Sequence, residues 1–188
     1  MFGFKVRSVE LSSNGLKLTG HKGEQIETEF LLNCAGGNAV DIAHNMGVGL
    51  DYTDLHFRGE YWEVTPAKAG MIKTNIYTVP RHPHLPFLDP HWIVRADGRV
   101  EIGPNAVLVA GCEAYDGFAT SPAELFLKIF ERPVSNKLRL FANPEFLKLA
   151  SEEWMSSLSK KAMVGRVQKF IPDLSVKDFV KRGTAGIR

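Results

Sequence analysis

Apolar and polar positions alternate with a period near two over the first part of the chain and recur with helical spacing over the last third. Phe4–Leu11 and Leu16–His21 flank Ser12-Ser13-Asn14-Gly15, whose Asn-Gly pair is the strongest short hairpin signal. A third strand, Gln25–Asn33, follows the turn at Lys22-Gly23, so the opening reads as a small β-meander. Residues 29–37 (Glu-Phe-Leu-Leu-Asn-Cys-Ala-Gly-Gly) read as a buried strand closed by small residues. Ala35, Gly36 and Gly37 would let a backbone or a flat cofactor approach the carboxyl end of that strand, where open α/β sheets bind their ligands.

A helix of roughly ten residues is predicted near Ala39–Met46, ended by Gly47. Strands follow at Phe57–Val64 and Met71–Val79, then a proline-rich stretch, Pro80 to Pro86, that is excluded from any central strand because proline has no N–H to donate. Asp97-Gly98 joins His91–Ala96 to Arg99–Gly103 in a second tight hairpin, and Ala106–Ala110 continues this mostly antiparallel sheet. Ser121-Pro122-Ala123-Glu124 forms a capping box, and Leu125, Phe126, Ile129 and Phe130 then share one helix face. Asn143-Pro144 starts a second helix with Phe146, Leu147, Leu149, Ala150, Trp154 and Leu158 as its apolar face, and a third runs near Lys161–Phe170 with Val164 and Val167 inward. The expected class is α+β, drawn from an α/β parent fold: an antiparallel sheet covered by helices, with the meander as a separate first part. The boundary falls between residues 1–54 and 55–188.

Composition narrows this picture only in part. At 188 residues with 44% hydrophobic and 23% charged residues, the chain can bury a core, and it has no run of about 18 apolar residues and no secretory leader. A cytoplasmic protein is therefore expected. Cys34 and Cys112 have neither metal nor redox spacing and read as reduced, partly buried thiols. Residues 1–120 hold 10 basic and 14 acidic side chains and residues 121–188 hold 13 and 7, so the last third is basic. That asymmetry suits either peripheral contact with an anionic membrane face or an ordinary solvated helical surface. It has neither the concentrated basic face nor the motif of a nucleic-acid binder.

Three places offer chemistry. Alternation on Phe57–Trp62 puts Arg58, Glu60 and Trp62 on one side and Phe57, Gly59 and Tyr61 on the other. Arg58 is then either a bidentate anchor for a substrate carboxylate or the partner of a carboxylate on a neighbouring strand. His91, beside Trp92, is able to exchange a proton near neutral pH, or serves only as a structural residue. Gly103-Pro104-Asn105 breaks the sheet and exposes carbonyls and the Asn105 amide, as a ligand contact or a plain bulge. His56, His82, His84 and His91 show no ligand spacing, so no metal is expected. A nucleophilic triad is also lacking, and Gly-x-Gly-x-x-Gly occurs nowhere, Gly47-Val48-Gly49 failing at Tyr52.

The order of short segments carries further information. Leu32-Asn33-Cys34-Ala35-Gly36, Phe57-Arg58-Gly59-Glu60-Tyr61, Ile76-Tyr77-Thr78-Val79-Pro80, Leu85-Pro86-Phe87-Leu88, His91-Trp92, Asp97-Gly98, Gly103-Pro104-Asn105-Ala106-Val107 and Gln168-Lys169-Phe170-Ile171-Pro172 follow one another, and the chain reaches Arg182-Gly183-Thr184-Ala185-Gly186-Ile187-Arg188. In this order the chain resembles the L-2-hydroxyglutarate oxidase/dehydrogenase branch of the D-amino-acid-oxidase-like FAD oxidoreductases, from about Phe4 to Arg188. Gly37-Asn38-Ala39 and Ile93 depart from the pattern of that group, where Leu-Tyr-type residues and a threonine are usual.

The resemblance implies a central fragment of an FAD enzyme that oxidises an L-2-hydroxy acid to the 2-oxo acid and passes electrons to a quinone or to oxygen. It implies cofactor contact at Ala35 and Gly36. Arg58, Tyr61 and Asn105 would hold the substrate, Arg58 by a carboxylate, and His91, the catalytic candidate, or Asn105 would position the oxidised carbon. Glycerol 3-phosphate or an amino acid is the alternative substrate, and a non-catalytic binding module the alternative class. A fragment would leave its cofactor-side face uncovered and tend to self-associate, whereas a stand-alone module would be monomeric and bind a ligand without flavin.

Overall fold

The computed structural model describes residues 2–79, 85, 87, 89–118 and 121–188, with the backbone alone at 125. The expected His82 and His84 and most of the proline-rich stretch lie outside the described residues.

The opening meander forms as predicted. Strands β1 (Val6–Ser12), β2 (Gly15–Gly20) and β3 (Gln25–Thr28) lie in that order, all antiparallel. Ser12 pairs with Gly15 at the first turn, and Gly15 has φ +135° with Thr28 O only 2.5 Å from where a Cβ would stand. Only glycine satisfies both demands.

The strand expected at residues 29–37 is not there. β3 stops at Thr28, and Phe30 and Leu32 are each 86% exposed. A strand exists only where a neighbour completes its hydrogen-bond ladder, and among the described residues none lies beside this run. A 3₁₀ turn at Gly36–Asn38 leads instead into helix α1 (Ala39–Asn45), beyond which Gly47 has φ +72°, as expected for a helix stop.

The second sheet is built on a nine-residue strand, β4 (His56–Val64), followed by a single helical turn, α2 (Pro66–Ala69). Strands β5 (His91–Val94), β6 (Val100–Gly103) and β7 (Val107–Val109) follow. The sheet order is β5-β6-β4-β7, with β7 paired to the first half of β4 and β6 to the second. The Asp97-Gly98 hairpin is present, with Gly98 at φ +83°. The strand expected at Met71–Val79 reduces to one bridge, Ile76 with Trp92, because no longer neighbour is in register with it.

Four helices follow: α3 (Pro122–Phe130), α4 (Val134–Phe141), α5 (Pro144–Leu158) and α6 (Lys160–Val167). Ser121 Oγ accepts from Glu124 N at 3.1 Å and Asn143 Oδ1 from Glu145 N at 2.9 Å, so both predicted caps are made. Helix α4 was not expected. The last strand, β8 (Phe179–Ile187), is also new, and it runs along the other edge of β4 from Arg58↔Ile187 to Val64↔Phe179. β4 thus lies in the middle of its sheet, which is why its charged side chains are drawn into the interior.

Two clusters make most of the core. Trp92, Val100 and Ile102 pack on Met163, Val164 and Val167 of α6, closed by Phe179. Phe57 and Ala106 pack on Phe87 and on Phe146 and Leu149 of α5. The predicted apolar face of α5 is divided: Phe146 and Leu149 are buried, whereas Leu147 and Leu158 face out. Its buried stripe continues through Glu153, Ser156 and Ser157, and Glu153 Oε2 accepts from Ala106 N and from Arg166 Nη1, each at 2.8 Å. The α+β class holds.

Candidate functional site

Arg58 is buried, with 4% of its surface exposed, and its donors are taken by the protein. Nε and Nη2 reach Glu60 Oε1 at 3.0 and 2.9 Å, and Nη1 donates to the carbonyls of Ala114 (2.7 Å) and Gly117. Of the two readings the sequence left open, carboxylate pairing is the one observed, and the partner is two residues along the same strand. Glu60 is the hub that sequence reasoning passed over. Its Oε2 accepts from Asn105 Nδ2 at 2.9 Å and from Arg182 Nη1 at 3.2 Å, while its backbone N–H donates to Asn105 Oδ1 at 2.9 Å. Burial pushes the Glu60 carboxyl up, but hydrogen bonds from Asn105 and Ser157 and the charges of Arg58 and Arg182 hold it below its ordinary range. The break at Gly103-Pro104-Asn105 is therefore a clamp on β4 as well as a bend.

Tyr61, on the opposite face from that cluster, separates two hollows. One, of about 250 Å³, is lined by Arg58, Glu60, Tyr61, Tyr115, Arg182 and Thr184 among others. The other, of about 270 Å³, is lined by Gly59, Tyr61, Pro104, Asn105 and residues 186–188. Arg58 and Asn105 thus meet through Glu60 but line different hollows, and Tyr61 is common to both. His91 lines neither hollow but is paired with Gly103, which has φ +152° and leaves room for the Tyr61 ring; a Cβ there would meet Tyr61 Cδ1 at 2.9 Å. The His91 ring lies 4.6 Å from that of Tyr77, and its Nδ1 is buried with no hydrogen-bond partner among the described residues. Burial lowers the His91 pKa, with Asp89 opposing, so the imidazole is neutral at pH 7. Burial likewise raises the Tyr61 phenol, and Arg95 opposes it.

Arg95 and Glu101 complete this face, and neither was singled out from the sequence. Arg95 lies 5.3 Å over the Tyr61 ring, and its Nε donates to Glu101 Oε2 at 2.8 Å. Glu101 is fully buried and also accepts from Thr184 N and Oγ1, which ties β6 to β8. One signal was available: a charged residue inside the apolar run Val100-Glu101-Ile102, facing an arginine across the Asp97-Gly98 turn.

Ala35 and Gly36, the expected cofactor contacts, stand apart from both hollows. Both are exposed, Ala35 N donates to Asn33 Oδ1 at 3.3 Å, and a Cβ on Gly36 would meet nothing within 4 Å. Two larger hollows, of about 760 and 510 Å³, lie along α3 and contain none of the predicted residues. No group of three or more His, Cys, Asp or Glu is placed to hold a metal among the described residues.

No family model matches the chain. Over 164 residues it is 35% identical to the mitochondrial L-2-hydroxyglutarate dehydrogenase of Caenorhabditis elegans, covering 87% of this chain and 36% of that protein. The human mitochondrial enzyme of the same name is 31% identical over 97% of the chain and 38% of its own length, and the Indibacter alkaliphilus enzyme 33% over 99% and 45%. The chain is a relative of the L-2-hydroxyglutarate dehydrogenases. It spans between about a third and a half of the length of these dehydrogenases, so more than half of each lies outside the aligned segment. Both the meander and the β4 sheet fall in the part shared with the human and bacterial L-2-hydroxyglutarate dehydrogenases, since nearly all of the chain is aligned. Among the described residues, no helix is long and apolar enough to cross a membrane.

Proposed function

We propose that this chain is the substrate-side portion of an FAD-dependent oxidoreductase that converts an L-2-hydroxy acid of the 2-hydroxyglutarate kind to the 2-oxo acid. The observation that carries the reading is the alignment of nearly the whole chain with proteins named L-2-hydroxyglutarate dehydrogenases. Oxidation of a secondary alcohol removes two electrons with the carbon-bound hydrogen and one proton from the hydroxyl group. His91, whose pKa burial lowers, would take that proton from an acid that extends past both hollows to the strand beyond Gly103. Tyr61 and Asn105 line the hollows in which the acid would lie, and Arg58 stiffens their floor through Glu60.

FAD, when bound, supplies the acceptor for the carbon-bound hydrogen and its electrons. The residues present fit it as far as they go: Gly36 has open space where a Cβ would stand, and Ala35 beside it is exposed. They offer a contact and not a whole cradle, because the glycine fingerprint for a dinucleotide does not occur within these 188 residues. Electrons would pass on to a quinone or to oxygen.

The test is to purify the product of the full reading frame that carries these residues and add substrates without air. A yellow protein that bleaches with L-2-hydroxyglutarate is expected. A colourless protein overturns the proposal, and one bleached by glycerol 3-phosphate or an amino acid in its place moves the substrate assignment.

A further inference from the structure

We propose that Arg95 is the residue that selects a dicarboxylate, by holding the carboxylate farther from the oxidised carbon; this rests on the function proposed above. Of the guanidinium groups around Tyr61, those of Arg58 and Arg182 are committed elsewhere, and Arg188, at the rim of the second hollow, has an interaction of its own. Arg58 is buried and bonded to Glu60, Ala114 and Gly117. Arg182 lines the first hollow but uses Nη1 on Glu60 and Nη2 on the Ser157 carbonyl, with its guanidinium carbon 4.4 Å from the Trp62 ring centroid.

Arg95 differs in three respects. Its Nε and Nη2 are fixed on the buried Glu101 carboxylate, and Nη2 also donates to Thr184 Oγ1 at 2.9 Å, so its rotamer is set before any ligand arrives. Its Nη1 donates to no group among the described residues. It lies over Tyr61, whose ring borders both hollows. Because Glu101 cancels its charge, Arg95 offers a directed, charge-assisted hydrogen bond and not a broad positive field. A side chain already held this way loses little further freedom on binding.

The sheet register supplies the reason for assigning the far carboxylate. His91 pairs with Gly103 and Trp62 with Ile102, which sets Tyr61, Gly103 and His91 in one row across the strands. Arg95 starts four residues beyond His91, about 13 Å along the strand at its usual rise. Its guanidinium lies 5.3 Å over the Tyr61 ring, at the other end of that row from His91. An acid whose hydroxyl-bearing carbon lies at His91 would therefore reach Arg95 with its other end.

The test uses the 188-residue chain with two probes, glutarate and butyrate, followed by the NMR signals of the Arg95 Nε–H and the Tyr61 and Thr184 amides. Glutarate is expected to move all three, and Arg95→Lys, which keeps a cation beside Glu101 but lacks the planar fork, should weaken glutarate about tenfold or more and leave butyrate within about twofold. Thr184→Val removes only one lock and should give an intermediate loss, with the Glu101 amide unshifted as evidence of an intact fold. Equal glutarate affinity in the wild type and Arg95→Lys, or glutarate signals confined to other residues, overturns the assignment; so does the absence of any glutarate binding. Flavin bleaching in the full-length protein decides the function separately: bleaching without an Arg95 response sinks this inference alone, and an Arg95 response without bleaching sinks the proposed reaction.

Discussion

Arg58, which the sequence offered as either a substrate anchor or a paired residue, is paired with Glu60 in the structure. Removing Arg58 leaves the Glu60 carboxylate with one cation fewer and the Ala114 and Gly117 carbonyls without a donor. Arg58→Met should therefore cost about 3–5 kcal/mol in urea unfolding, the usual penalty for breaking a buried pair. Wild-type stability with lost substrate affinity would make it an anchor after all. His56 offers a second residue-scale prediction. Its Nε2 lies 3.0 Å from Gly37 O and 3.4 Å from Asp54 Oδ2, and Lys128 Nζ reaches Asp54 Oδ1 at 3.0 Å. The hydrogen bond to Asp54 raises the His56 pKa against the opposing effect of burial, so this stabilisation is full below about pH 6.5 and fades as pH rises through the folded-state value. Burial raises Asp54, but bonds from His56 and Lys128 outweigh it and lower its pKa, so its stabilisation is present above about pH 4 and lost in acid. The pair should favour the fold most between about pH 4 and 6.5, and His56→Gln should flatten the fall in urea midpoint above that window.

At the scale of elements, β4 works because three strands meet its two edges. The β6–β7 connection has to pass close to it, and Gly103 is the point of closest approach: a Cβ would sit 2.6 Å from Glu60 O at φ +152°. Gly103→Ala should cost at least about 2 kcal/mol, read from a thermal or urea midpoint, with the Tyr61 ring displaced. The elements legible in the sequence are those specified by neighbours in the chain. Asn14-Gly15 and Asp97-Gly98 name their own hairpins, and Ser121 and Asn143 cap helices within three residues. β8 was illegible because Gly183, Thr184, Ala185 and Gly186 carry no strand pattern of their own, and what makes them a strand is register with β4, more than 120 residues earlier. Residues 71–79 err the other way, having a strand-like pattern but no edge to join beyond Ile76.

For the molecule as a whole, the notable property is apolar surface left open. Phe30 and Leu32 project from a run that enters no sheet, and Phe126, Ile129 and Phe130 of α3 are more than half exposed. Apolar area of this kind drives association. The 188-residue chain should elute on size exclusion with a concentration-dependent size, and Phe30→Ser with Leu32→Ser should shift it towards the monomer if the unpaired run is the sticky part. No shift would place the association on α3.

Local chemistry was enough to specify the meander turns, the caps and the antiparallel sheet with its covering helices, whereas the grouping of Arg58, Tyr61 and Asn105 came from the resemblance. Turns and caps depend on interactions a few residues apart, which the order of residues states directly. Which guanidinium is buried and which presents a donor, which apolar run becomes a strand, and that Glu60 and Glu101 are the fixed points of the sheet were decided by the tertiary structure alone. Those outcomes depend on groups distant in the chain competing for the same hydrogen-bond partners and the same sheet edge, and only the assembled sheet settles that competition.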